Sequence, residues 1–404
     1  MATRDRYPEP PDSMDWHRAQ QFETTFAWEY DDGRDKLLNL YRKGKKLQWD
    51  AAERIDWSID VDPESPENFP DYYIPIYGSD TWESMDEKGH AQLRHHMSSW
   101  MNSQFLHGEQ GALVCTAKIV ETVPDVDCKF YAATQVMDEA RHMETYSRYL
   151  REKVELAYPI NPNLKSLLND IVADGRWDMT CLGMQIMVEG LALAAFAMVR
   201  DFSDEPLAKA LNAYVMQDEA RHVAFGRLSL RDYYPQLTQA ERDEREEFIV
   251  YASYLMRDRF RGDEVWEYLD LPYQECIEFV EQSQMLGEFR KMLFSRIVPT
   301  VKDLGLFGEK VQKAFVDMGV IDYADVNPDD LSAADEQIAD EMEQRNALTG
   351  SRNGHAGNGQ QESGRAQNNL VESGRADNGH AGLTDVDPER AAEVSATVEA
   401  GREG

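Results

Sequence analysis

Positive charge is scarce in this chain. Its 42 Lys and Arg face 75 Asp and Glu, a formal net charge of -33. That balance excludes a nucleic-acid surface, because holding phosphates takes clustered cations. It also excludes an anionic membrane surface and suits a cytoplasm rich in salt. Cysteine is scarce as well. Cys115, Cys128, Cys181 and Cys276 are the only four, and none forms a C-x-x-C pair. In a chain of 404 residues they read as reduced, buried thiols rather than a disulfide framework. Long apolar runs are missing: the most apolar window, CLGMQIMVEGLALAAFAMV, carries Glu189 at its centre. The opening MATRDRYPEPPDSMDW is polar and Pro-rich, unlike a secretory signal. These absences predict a soluble cytoplasmic protein.

Strand signals are also few, and what remains is helical. Within residues 1–80, DKLLNLYRKGKKLQWDAAERIDW reads as an amphipathic helix running into a loop, followed by a Pro-rich wrapping segment. Helical periodicity then covers 86–123, 125–157, 176–201 and 204–234, with a short bridging helix at 164–173. The breaks VPDVD and DFSDEP supply Asp or Ser caps and early prolines. Further helices follow at 239–261, 273–297 and 307–318. The expected architecture is all-α: an N-terminal helix and wrap over 1–80, a helical bundle with flanking helices over 81–325, and an acidic tail over 326–404. The tail repeats NGHAG and ESGRA and holds few large apolar residues, so its composition predicts disorder.

One pentapeptide, Asp-Glu-Ala-Arg-His, occurs twice, within QVMDEARHMETY (135–146) and YVMQDEARHVAFG (214–226). Each copy sets a Glu and a His three residues apart: Glu139 with His142, and Glu219 with His222. On a helix that spacing puts carboxylate and imidazole on one face, where both reach a single metal ion. A dinuclear site of this kind takes one more carboxylate from each of two further helices. Glu109 stands 30 residues before Glu139, and Glu189 stands 30 before Glu219. The set Glu109/Glu139/His142 therefore recurs 80 residues later as Glu189/Glu219/His222, a four-helix bundle with pseudo-two-fold symmetry. Glu109 and Glu189 sit among apolar and small residues. An unpaired charge there costs several kcal/mol, so each calls for a cation. Gly108, Gly111, Ala112, Gly190 and Ala192 are read as leaving room around the metals and substrate.

Oxygen and imidazole donors without thiolate favour iron, with manganese acceptable in one position. Ligand histidines donate their other N–H to a carboxylate. Asp138 is therefore assigned to His222 and Asp218 to His142, with Arg141 and Arg221 pairing those aspartates. One turn from the ligands, Phe105, Ala112, Leu113, Thr116, Leu193 and Phe196 are expected to line an apolar pocket. Tyr146 is the candidate redox or substrate-lining residue. His90, His95, His96 and His107 are read as structural or exposed.

The doubled DEARH, each with its upstream helix Glu, resembles the ferritin-like di-iron carboxylate superfamily in its O2-activating branch. Gly108-Glu109 and Ala112 are similar to the first-ligand pattern of bacterial multicomponent monooxygenase hydroxylase subunits. QDEARHVAFG is similar to the second motif of ribonucleotide-reductase small subunits and related oxidases. The resemblance implies a ferritin-like fold, two iron ions (Fe/Fe or Mn/Fe), and O2 with a small, partly apolar organic substrate that is hydroxylated, oxidised or desaturated. No flavin, nicotinamide or iron–sulfur motif is visible, so a ferredoxin or reductase is the implied electron donor, and a homodimer the default assembly. The rival readings are an iron-handling ferroxidase and a radical-generating metal subunit.

Departures from these patterns matter. Leu193 replaces the hydroxylases' Thr. Tyr146 stands at the radical position of the reductase subunits, although those carry Asp where this chain has Glu109. Ala112 stands where cross-linking oxidases carry Val. N-oxygenating relatives have a further His four residues before the last ligand Glu, where this chain has Val215. On that ground the sequence disfavours N-oxygenation.

Overall fold

The computed structural model describes residues 6–8, 15–30, 33–334 and 337, the side chains of residues 285 and 286 apart. The chain divides into two units, Met1–Asp340 and Glu341–Gly404. Nearly all of the low-complexity tail lies outside the described residues. Residues 326–334, assigned to the tail from composition, are described: residues 331–334 are helical, and Asp329 pairs with Arg227.

Among the described residues there are helices and turns and no strand. The principal helices are α1 (Asp35–Lys46), α2 (Glu87–Thr122), α3 (Val126–Tyr149), α4 (Pro162–Ala173), α5 (Trp177–Phe202), α6 (Pro206–Arg231) and α7 (Gln239–Asp258). Their ends follow from local chemistry. The Asp86 side chain accepts from Gly89 N to start α2, and Asp125 accepts from Asp127 N and Cys128 N to start α3. Pro206 at the first position of α6 follows Glu205, whose carboxylate accepts from Leu207 N and Ala208 N. Lys118 Nζ caps the other end of α4, donating to Val172 O at 2.9 Å.

The links between α2 and α3, and between α5 and α6, are only a few residues long, so each pair is an antiparallel hairpin. α2 packs on α3, α5 on α6, and α3 meets α6 across the bundle, with α1 laid over α3 and α6. Packing on both sides buries α5 so fully that, although it is long and apolar enough to span a membrane, 83% of its most apolar window is inside the protein. The periodicity over 273–297 and beyond resolves into three helices, Tyr273–Gln282, Gln284–Phe294 and Ile297–Asp303, and a short helix at Asp263–Tyr268 has no counterpart in the sequence reading.

The middle of α5 is not α-helical. Leu182–Val188 is a π-helical segment, and Glu189 follows it directly. One added residue in that turn re-aims the side chains beyond it, a distortion frequent at functional sites. α6 approaches this segment closely. A Cβ on Gly226 would lie 2.4 Å from Gln185 Cβ and 3.2 Å from Ile186 Cδ1. Gly226→Ala is accordingly expected to destabilise the fold by about 1–3 kcal/mol, read as a lower Tm, because two backbones must part. Gly111 is small for a similar reason: Leu168 Cδ2 already fills the place of its Cβ at 2.5 Å. The room expected there for metals or substrate is taken by α4, while Gly190 meets Ile297 at 3.3 Å and Gly108 meets nothing.

All four cysteines are free and buried, and burial pushes the thiols of Cys115 and Cys128 up to about 12.

Candidate metal centre

Each hairpin delivers three of the six expected side chains to the bundle interior. Glu109 comes from α2, Glu139 and His142 from α3, Glu189 from α5, and Glu219 and His222 from α6. None is more than 5% exposed. His142 Nδ1 lies 3.2 Å from Glu109 Oε2, 3.4 Å from Glu139 Oε2 and 3.1 Å from Glu219 Oε1. His222 Nδ1 lies 3.1 Å from Glu139 Oε1 and 3.4 Å from Glu219 Oε2. Each central carboxylate thus turns one oxygen to each histidine. Two overlapping groups, Glu109/Glu139/His142/Glu219 and Glu139/Glu189/His222, have ligand atoms within 4.8 Å of one another.

Outside this cluster the aspartates hold the imidazoles. Asp218 Oδ2 stands 3.1 Å from His142 Nε2, and Asp138 Oδ2 stands 3.3 Å from His222 Nε2. Arg141 Nη2 donates to Asp138 at 2.5 Å and to Asp218 at 2.8 Å, while Arg221 pairs with Asp218. Two partners come from the N-terminal helix-to-loop stretch, which sequence reasoning left without a role at the site. Trp49 Nε1 donates to Asp218 Oδ2 at 2.9 Å, and Gln48 Nε2 donates to Asp138 Oδ1 at 2.7 Å. The Arg141 guanidinium sits 4.7 Å over the Trp49 ring.

These residues fit a pair of cations. A neutral imidazole whose Nε2–H is given to aspartate leaves a lone pair at Nδ1. Here both Nδ1 lone pairs would face carboxylate oxygens, a repulsive arrangement unless a cation lies between. Glu139 Oε2, Glu189 Oε2, both oxygens of Glu219 and His222 Nδ1 are buried with no hydrogen-bond partner, which costs about 1–3 kcal/mol or more apiece. Without cations the charges must be met by protons. Burial and then Glu219 push Glu109 well above the usual carboxylate range; burial and then Glu139 do the same to Glu189. Burial opposes charge on the histidines, yet Glu109 beside His142 and Glu139 beside His222 outweigh it and raise both well above the ordinary value. Burial also opposes charge on Glu139, but His222 and then His142, both close to its oxygens, hold it far down.

The expected pocket residues divide. Phe105, Tyr146 and Phe196 pack on one another, with ring centroids 4.7–5.8 Å apart. The Tyr146 hydroxyl donates to Asn212 Oδ1 at 3.0 Å. Thr116 is buried against Gln185, and Ala112 is buried, whereas Leu113 is half-buried. Leu193 lines a pocket between α5, α6 and residues 328–332, together with Val223, Arg227 and Thr300. The bundle histidines serve the framework: His90, His95 and His107 bond to backbone carbonyls, and His96 Nδ1 lies 2.7 Å from the Tyr158 hydroxyl. Sequence reasoning missed Gln135. Its Nε2 donates to Glu139 Oε1 at 2.9 Å and to Glu189 Oε1 at 2.8 Å. Its place one turn before Glu139 was the available signal.

A family model described as P-aminobenzoate N-oxygenase AurF matches residues 31–305. No curated protein matches the chain significantly. Among solved structures, a variant of the R2-like ligand-binding oxidase with anaerobically reconstituted Mn/Fe cofactor aligns at 16% identity and a TM-score of 0.41, covering 63% of this chain and 92% of that one. The oxidase with aerobically reconstituted Mn/Fe cofactor aligns at 16% identity and a TM-score of 0.38, over the same shares. The family match sets the chain among the N-oxygenating relatives that Val215 had counted against. The missing histidine removes one donor and leaves the six shared by the two hairpins in place.

Proposed function

This chain belongs to the P-aminobenzoate N-oxygenase AurF family and is an O2-activating di-iron oxidase; on that footing we propose that it oxidises a small, partly apolar organic amine at nitrogen. The observation that supports the reading is the shared cluster, in which Glu139 and Glu219 each face both histidines. Glu109 and His142 would hold one iron and Glu189 and His222 the other, with Glu139 and Glu219, which face both histidines, available to each. Two irons held by these residues would supply O2 with electrons and the substrate with an oxidant.

The chain's own residues do the rest. Asp218 and Asp138 hold the Nε2 protons, so that Nδ1 of each histidine is the free donor. Arg141 pairs with both buried aspartates and Arg221 with Asp218, and Trp49 and Gln48 complete their hydrogen bonds. The wall of Phe105, Tyr146 and Phe196 excludes water from the Glu109 side. An electron-transfer protein, a ferredoxin or a reductase, restores the reduced state between turnovers.

Tyr146 is assigned to that wall. Its proton is given to an amide oxygen, which does not take it up, and burial, then Glu109, raises the phenol well above its usual value. Tyr146→Phe should keep both metals and lower turnover by less than the roughly 100-fold expected for loss of a general acid or base. Air-exposed ferrous protein should show no tyrosyl signal in electron paramagnetic resonance; a strong one that disappears in Tyr146→Phe would restore the radical-subunit reading.

The direct test supplies the anaerobically reduced, iron-loaded protein with O2 and an aromatic amine such as p-aminobenzoate. Hydroxylamino, nitroso or nitro products by mass spectrometry support the reading. Oxidation at carbon alone, or O2 consumption tied only to ferrous iron, sinks it.

A further inference from the structure

The six metal-holding side chains repeat across the two hairpins with an 80-residue offset, but the side chains around them do not. Phe105 corresponds to Gln185, Tyr146 to Gly226, Phe196 to Thr116, and Val215 to Gln135. The contacts correspond as well. Phe105 packs on Phe196 at 4.7 Å and on Tyr146 at 5.6 Å. In the other half Gln185 Nε2 reaches Thr116 Oγ1 at 3.4 Å, and Gln185 Cβ closes on Gly226. A symmetric set of ligands therefore sits between one aromatic wall and one wall of amides and small residues.

Gln135 is the member of the polar wall that touches the ligands. It is fully buried. Both hydrogens of its amide are used, one on Glu139 and one on Glu189, at 2.9 and 2.8 Å. A donor shared in this way fixes the angle between the two carboxylates and keeps one oxygen of each from turning. Its counterpart Val215, also fully buried, can do nothing similar for Glu219 and Glu109. The carbonyl oxygen of Gln135 is buried with no hydrogen-bond partner, as is that of Gln185. Orphaned amide oxygens are costly where they stand and retain an unused lone pair beside Glu189.

We propose that Gln135 is a positioning residue that makes the two metal positions unequal, because one buried amide holds Glu139 and Glu189 together while Val215, its counterpart in the other repeat, leaves Glu219 and Glu109 without such a donor. The inference rests on the di-iron reading above. It places the position bounded by amides on α5 and α6, and the drier one against Phe105, Tyr146 and Phe196.

The test uses the full chain loaded with 57Fe(II) under anaerobic conditions, read by Mössbauer spectroscopy and by competition with a chelator. Wild type should bind two irons and show two distinct quadrupole doublets of equal area. In Gln135→Val, which copies residue 215, one position should weaken by about 10- to 100-fold and one doublet should fade first as chelator is added. The Tm of the metal-free variant should fall, since Glu139 and Glu189 each lose a buried donor, and that fall is separate from the chelator readout. Loss of both irons together in Gln135→Val, or no change in either, overturns the proposal. A single doublet in wild type overturns it without reference to any variant. A wild-type chain that binds no iron overturns instead the di-iron reading on which the proposal stands.

Discussion

Glu139→Ala and Glu219→Ala are each expected to empty both metal positions, not one. Each carboxylate turns one oxygen to His142 and the other to His222, at 3.1–3.4 Å. Removing either takes a donor from both ions and also leaves two divalent charges less well neutralised. Affinity should fall by more than about 100-fold, beyond the 10- to 100-fold typical of a lost supporting hydrogen bond, and turnover should fall with it. Glu109→Ala and Glu189→Ala touch one position each and should leave about one iron per chain. Metal analysis after desalting separates the two patterns. Equal loss in all four variants would mean that the central and outer carboxylates do not differ in role.

The second large effect is on stability. In the metal-free protein Glu109, Glu189, His142 and His222 all have raised pKa values. A raised folded-state value means that the folded protein binds the proton more tightly than the unfolded chain does. For the histidines the resulting stability is whole below about pH 6.5, their unfolded value. It is lost as pH rises through the raised value. For the two acids it is whole below about 4.3 and is likewise lost as pH rises. Glu139 and Asp218 are lowered. Their contribution is present above the unfolded carboxylate range and is lost only in acid, so they do not alter the trend between pH 5 and 8.

The metal-free Tm should therefore fall as pH rises from 5 to 8. Metal displaces those same protons, so binding should tighten over that range. At 100 times the dissociation constant each ion adds about 2.7 kcal/mol, and the Tm gain on loading should be greater at pH 8 than at pH 5. Calorimetric titration in two buffers of different ionisation enthalpy should register proton release. A metal-free Tm that climbs steadily from pH 5 to 8, or binding with no proton release, contradicts this account of the cluster.

What could be read in the sequence was what helical period carries. The i, i+3 pairing of Glu with His, the 30-residue echo to Glu109 and Glu189, and the cross-assignment of Asp138 and Asp218 are consequences of local geometry and repetition. The structure brings these residues together in one cluster. Other features depend on packing between distant segments. Trp49 and Gln48 reach the aspartates from a segment about 90 or more residues upstream of them in sequence, and nothing local marks them. The π-helical turn before Glu189 changes backbone period with only Gly183 inside it as a local mark. Gly111 reads as room for metals and substrate, whereas it and Gly226 are places where another element presses in. Val215 misled in a different way: it was weighed alone, when the buried amide that bears on the site stands at the equivalent place in the other repeat.

The central claim is that six side chains from two hairpins hold a pair of irons. Iron K-edge absorption on the anaerobically loaded wild-type protein tests it most directly. The account predicts two irons per chain, oxygen and nitrogen donors only, and an iron–iron scattering contribution at about 4 Å or less. One iron per chain, sulfur in the ligand shell, or two irons with no metal neighbour in that range would contradict it.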